Sequence, residues 1–146
     1  MRVYLENLRQ GGFVSGTPHS GAIGMELVEV EPGRGTIKCA WREDLVGDAD
    51  IGVIAGGVVT ALLDHVCGLA VMAALKEPGM LATLDLRIDY LRPAEPRLDV
   101  YASAHCYRMT RTVAFVRASA HDGDPEHPVA AAQGTFILNP ARDPAA

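Results

Sequence analysis

A chain of 146 residues has room for one domain of the usual size and little for a second. Hydrophobic residues make up 49% and charged residues 21%, which excludes a disordered polymer and allows a packed core. Thirteen Lys and Arg against eighteen Asp and Glu leave a net charge of −5, and aromatic residues are scarce, so neither a basic face nor a stacking platform for nucleic acid is expected.

The opening MRVYLENLRQGG carries Arg2, Glu6 and Arg9 and lacks the apolar stretch of a secretory signal, so the protein is expected to stay in the cytoplasm. Residues 3–10 read as a short helix closed by Gly11 and Gly12. The stretch SGTPHSG is rich in turn residues. Residues 22–31 and 36–42 then read as two strands joined by Pro32-Gly33-Arg34-Gly35, a hairpin signal. Residues 43–55 are irregular and Asp-rich. From Gly56 to about Lys76 no proline interrupts a helix of about five turns, which ends at Pro78-Gly79. This helix is apolar almost all the way round, the pattern of a core helix wrapped by other structure. It is also the longest apolar run, but Thr60, Asp64, His65 and the paired glycines count against a membrane span.

Four β-like stretches follow, at 81–92, 98–108, 112–121 and 129–138. In the first, Leu84, Leu86, Ile88 and Tyr90 alternate with Asp85, Arg87 and Asp89, the period of a strand with one buried and one polar face. Short connections favour antiparallel neighbours. The expected class is α+β, a curved antiparallel sheet around one long central helix, in a single domain spanning 1–146. The first dozen residues and the tail NPARDPAA read as its loose ends.

Asp64 lies in the apolar helix about two turns past Gly56 and Gly57. An ionised carboxylate is costly to bury alone, so it needs a partner, a water-filled cavity or an interface. It is the leading candidate for chemistry; an Asp hydrogen-bonded to a neighbouring strand is the structural alternative. A helix opening on two glycines offers free N–H groups that a ligand oxygen approaches closely, as a developing oxyanion needs. Two glycines also simply permit a tight turn.

The segment IAGGVVTALLDHVCGLA, followed by TLDLRIDYLRPA, resembles the hotdog-fold acyl-CoA thioesterases, particularly the PaaI-like (phenylacetyl-CoA thioesterase) branch. There a His-Gly-Gly start, a helix bearing Asp or Glu and a strand ending in an Arg-Pro-Ala-like turn recur in this order. The likeness runs from about residue 19 to 138 and implies hydrolysis of an acyl-CoA thioester to a carboxylic acid and CoA. It implies no metal and no redox cofactor, CoA being part of the substrate. Asp64 then matches the family carboxylate, general base or nucleophile. The N–H of Gly56 or Gly57 polarises the thioester oxygen, and Thr83 matches a hydroxyl position that orients the water. Strict alternation places Thr83 with outward-facing Asp85 unless a bulge intervenes. Ala55 stands beside the substrate where the family has His, and cannot hydrogen-bond to it. Asp48 and Asp50, in a stretch where the family's polar side chain is usually Asn, read as solvated loop acids. Hotdog sites commonly combine elements of two subunits, so a homodimer or tetramer is expected, with no membrane partner.

Arg92, Arg108 and Arg111 flank strand ends, where they could meet CoA phosphates or only water. His121, Asp122, Asp124, Glu126 and His127 have the composition of a metal cluster, but Asp-Gly-Asp-Pro is a turn sequence and a solvated hairpin tip is the expectation. His65 lies about 100° around the helix from Asp64 and reads as a packed core residue. Nothing in the pattern places a base beside Cys67 or His19, and His105 and Cys106 point to opposite faces of one strand. Cys39, Cys67 and Cys106 read as small buried hydrophobes. The rivals to hydrolysis are a non-catalytic acyl-thioester-binding hotdog protein and a hotdog dehydratase or hydratase; the latter needs a His at the helix start.

Overall fold

The computed structural model describes residues 2–140, so the tail at 141–146 lies outside the described residues. Three short helices come first, α1 (Arg2–Arg9), α2 (Gly12–Ser15) and α3 (Pro18–Ile23). The stretch SGTPHSG, expected as turns, holds the last residue of α2 and most of α3. Pro18 sits in the first turn of α3, where its missing N–H is no loss, and Gly24 at φ +83° closes the helix. The first strand, β1 (Met25–Glu31), therefore starts later than residue 22. It turns through Pro32 and Gly33, with Gly33 at φ +71°, into β2 (Arg34–Cys39), which begins and ends ahead of the expected 36–42. The stretch expected as irregular holds a 3₁₀ turn (Glu43–Leu45) and a small hairpin, β3 (Val46–Asp48) with β4 (Val53–Ile54).

The long helix α4 (Gly56–Ala74) follows, then β5 (Gly79–Tyr90), β6 (Val100–Met109), β7 (Val113–His121) and β8 (Ala130–Pro140). Six strands form one antiparallel sheet in the order β1-β2-β6-β7-β8-β5, one face of which packs around α4. This is the α+β hotdog arrangement. The inward rows of the central strands are mostly small, with Ala102, Ala104, Ala114, Ala118, Ala120 and Ala130 buried, so the helix approaches the sheet closely. Gly35 shows how closely: a Cβ there would fall 2.7 Å from Leu69 Cδ2. Leu62, Leu63, Val66, Leu69 and Val71 are fully enclosed, each such side chain contributing about 1.5–3 kcal/mol. Length and composition alone would let α4 cross a membrane; here that apolar surface is the core.

β5 departs from its expected pattern. It is an edge strand, and the register shifts between Thr83 and Asp85, leaving Leu84 as the extra residue of a bulge. Leu86 and Ile88 are half-buried as their alternation implies, but Leu84 and Tyr90 are more than half exposed because no described residue covers β5 from outside.

Candidate functional site

The chain enters α4 through Ala55, extended at φ −60° and ψ 142°, whose carbonyl accepts the N–H groups of Val58 and Val59. No side chain caps the helix, so the N–H groups of Gly56 and Gly57 stand without a helical partner, and both glycines are exposed. A Cβ on Gly57 would meet nothing within 4 Å. The first turn is tied to the edge strand instead: the Tyr90 hydroxyl donates to the Gly56 carbonyl at 3.0 Å and pairs closely with Thr60 Oγ1, which also reaches Gly56 O.

One turn beyond Thr60 on the same face lies Asp64, half-buried rather than enclosed. Thr83 Oγ1 donates to Asp64 Oδ1 at 2.8 Å. The bulge at Leu84 makes this contact: Thr83 pairs with inward-facing Phe136 while Asp85 pairs with Thr135 on the outer face, so Thr83 joins the helix side of the sheet. Two ties, Tyr90 to Gly56 and Thr60, and Thr83 to Asp64, thus lock β5 against the first half of α4. The sequence reading does not place Thr60 and Tyr90 in the site; the only signal is that Thr60 stands four residues from both Gly56 and Asp64.

A cavity of about 590 Å³ opens beside the helix start, walled by Ile51, Val53, Val59, Leu91, Pro93 and Val129 together with Ala55, Gly56 and Tyr90. Its volume lies in the range of roughly 300–1,000 Å³ usual for small-molecule sites. Arg92 belongs to the same wall but its charge is engaged. It makes a two-pronged ion pair with Asp122, at 2.8 and 2.9 Å, and reaches His127 O at 2.6 Å. The Asp122 side chain is only 7% exposed, and Arg92, helped by the Glu95 N–H, holds its carboxyl well below the usual range, at about 2. Asp122 is therefore no solvated turn acid, and Arg92 is no free phosphate ligand, because long-range folding brings the β7–β8 turn onto the end of β5. Arg108 and Arg111 are exposed near the opposite end of α4, where Arg111 faces a hollow with Lys76 and Pro78. The structure does not bring them together with Arg92.

The remaining candidates fall outside the site. His65 stacks on Phe13 with ring centroids 4.7 Å apart and donates from Nε2 to Phe13 O at 2.8 Å; burial pushes its pKa down. The Cys67 thiol is buried and pushed up to about 12 by that burial, so it is no nucleophile. Cys39 is enclosed too, while Cys106 is half-buried. Asp48 accepts the N–H of Asp50 within its loop and borders the cavity. Asp124 pairs with His127 at the exposed turn. Among the described residues no group of three or more His, Cys, Asp or Glu is gathered to hold a metal.

Residues 51–129, more than half of the chain, match the thioesterase superfamily. The chain belongs to the thioesterase superfamily. The matched span of this superfamily member runs from the loop before α4 to the start of β8, and so includes Gly56, Asp64, Thr83 and Tyr90. It is 26% identical over 139 residues to the medium/long-chain acyl-CoA thioesterase YigI of Escherichia coli, covering 86% of this chain and 88% of YigI. A crystal structure of a Pseudomonas aeruginosa protein superposes with a TM-score of 0.82 at 36% identity, over 92% of this chain and 98% of that one. A mutant of the phenylacetic acid degradation protein PaaI of Thermus thermophilus gives 0.70 at 28% identity over 82% and 97%. PaaI-like thioesterases are thus among the structural neighbours of this superfamily member.

Proposed function

We propose that the protein hydrolyses acyl-CoA thioesters as a homodimer, each site joining Gly56 and Gly57 of one copy to Asp64 and Thr83 of the other. The observation that carries this reading is the Thr83–Asp64 hydrogen bond on a helix whose first N–H groups are free. Eight residues of helix put about 12 Å between Gly56 and Asp64. Within one chain a thioester and its attacking water would have to lie extended along the helix to reach from those N–H groups to the carboxylate. Two copies related by a twofold axis across β5 can bring one helix start to the other's carboxylate. The unpaired edge of β5, with Met80, Leu84 and Tyr90 exposed beside it, is the surface such a pairing would cover. The name of YigI supports an acyl-CoA substrate, and that of PaaI an aromatic acyl context.

Thr83 fixes one carboxylate oxygen and leaves Oδ2 of Asp64 to take a proton from water as it attacks the thioester carbon. The N–H groups of Gly56 and Gly57 stabilise the oxyanion, and as it collapses the C–S bond breaks and the proton held by Asp64 passes to the sulfur, so that CoA leaves as the thiol. Single turnover in ¹⁸O water checks the role: label in Asp64 assigns nucleophile, whereas label confined to the product acid shows that water attacks the acyl carbon, as a general base directs it to, and trapping with hydroxylamine then tests for an acyl-enzyme. Ala55, which offers the helix start no side-chain hydrogen bond, favours one second reading, a protein that binds acyl thioesters without turning them over. Release of free thiol across a panel of acyl-CoAs decides between them.

A further inference from the structure

The cavity beside the helix start carries more information than the reaction class. Its wall is apolar apart from two charged residues, and those two have opposite consequences. Arg92 is withheld by Asp122, His127 O and Pro93 O, so among the described residues that line the cavity no free cation faces an anionic acyl group. Asp48 remains as an anion at the rim, and repels one. The Tyr90 ring lines the cavity beside Gly56, where the thioester carbonyl would lie: its Cε1 stands 3.8 Å from where a Cβ of Gly56 would be. That ring cannot swing aside freely, because its hydroxyl is held by Gly56 O and by Thr60.

From this geometry we infer that the cavity takes an uncharged, unbranched acyl chain, and that Tyr90 is a specificity-determining residue that excludes branching next to the carbonyl. The inference rests on the thioesterase reading for the identity of the bound group. Its content is the selection rule, which comes from the cavity wall and the tethered ring. Tyr90 is more than half exposed on an edge strand, so shortening it leaves the protomer's core intact, and because the same edge is the proposed pairing surface, sedimentation of each Tyr90 variant confirms that the substrate ratios are read on the dimer.

The test compares butanoyl-, 2-methylpropanoyl-, octanoyl- and succinyl-CoA as substrates of wild type, Tyr90→Ala, Tyr90→Phe and Ile51→Trp. In the wild type one methyl at the branch should lower kcat/KM by about tenfold or more, the usual effect of a methyl that an apolar pocket rejects, and succinyl-CoA should be the poorest substrate. Tyr90→Ala should close most of the gap between the branched and straight four-carbon substrates, while Tyr90→Phe, which keeps the ring, should largely preserve it. Ile51→Trp fills the cavity from its solvent-exposed loop and should depress octanoyl-CoA relative to butanoyl-CoA. An unchanged branched-to-straight ratio in Tyr90→Ala, with a wild-type melting curve, would overturn the inference, as would efficient use of succinyl-CoA. If no substrate turns over, calorimetric binding of the same four compounds separates the two ideas. Affinities that follow the same rule keep the pocket and sink the hydrolase reading, whereas affinities equal to that of free CoA sink the pocket.

Discussion

Asp64 and Thr83 make the most direct test of the site. Asp64→Asn keeps the shape and still accepts from Thr83, but loses the charge that takes the proton, so kcat should fall by about 10²–10⁴-fold with the melting temperature at or above wild type. Retention of wild-type kcat would end the assignment. Thr83→Val removes the donor and should cost up to about tenfold in kcat, with Thr83→Ser restoring it; the hydrogen bond itself is worth about 1 kcal/mol. Thiol release with each variant, beside a thermal melt, provides the comparison. Thr83 was legible as a family position, yet its direction was not, because alternation in β5 pointed it outward. One extra residue, Leu84, reverses that, and nothing in the residues 81–92 themselves marks the bulge.

Two ties between elements set how the fold answers to pH. Arg92 just past β5 and Asp122 at the end of β7 share an ion pair in which the carboxylate is nearly enclosed. The depressed folded pKa of Asp122 means that its charge stabilises the fold above about pH 4 and that this contribution fades as pH falls toward 2. Asp122→Asn should therefore cost about 2 kcal/mol at neutral pH, with the difference from wild type shrinking in urea melts as pH drops below 4. The second tie is His65 against Phe13, which fastens α2 to α4. Burial lowers the pKa of His65, so its neutral form stabilises the fold above about pH 6.5 and this is lost as pH falls through the folded value. Protection factors over residues 12–24, taken against the intrinsic exchange rate at each pH, should fall from pH 7.5 to pH 5 more than those over β7, and a uniform response would show that the clip does not govern this segment.

At the scale of the whole molecule the decisive question is whether a site is shared between copies. Gly57→Val adds a side chain into space that is open in the protomer and should block approach to the helix N–H groups without unfolding it. Mixed with Asp64→Asn by unfolding and refolding together, two inactive proteins should regain about a quarter of wild-type activity, because half of the dimers then carry one intact site. No recovery, with sedimentation showing mixed dimers, would place both parts of the site in a single chain.

Composition and period were enough for the class of fold and its central helix: a 19-residue run with hardly a polar face has nowhere to go but the inside of a sheet. They also marked Asp64, since a carboxylate in such a run is too costly to be incidental, and the paired glycines at the helix start. What lay beyond the sequence were the contacts made by residues far apart in the chain. The pairing of β5 with β8 rather than with β6, the bulge that turns Thr83 inward, the Tyr90 tether and the capture of Arg92 by Asp122 all depend on partners 19 or more residues away. Local periodicity reports only whether a side chain faces in or out, while the identity of its neighbour is set by how strands are ordered and bent once the core has formed.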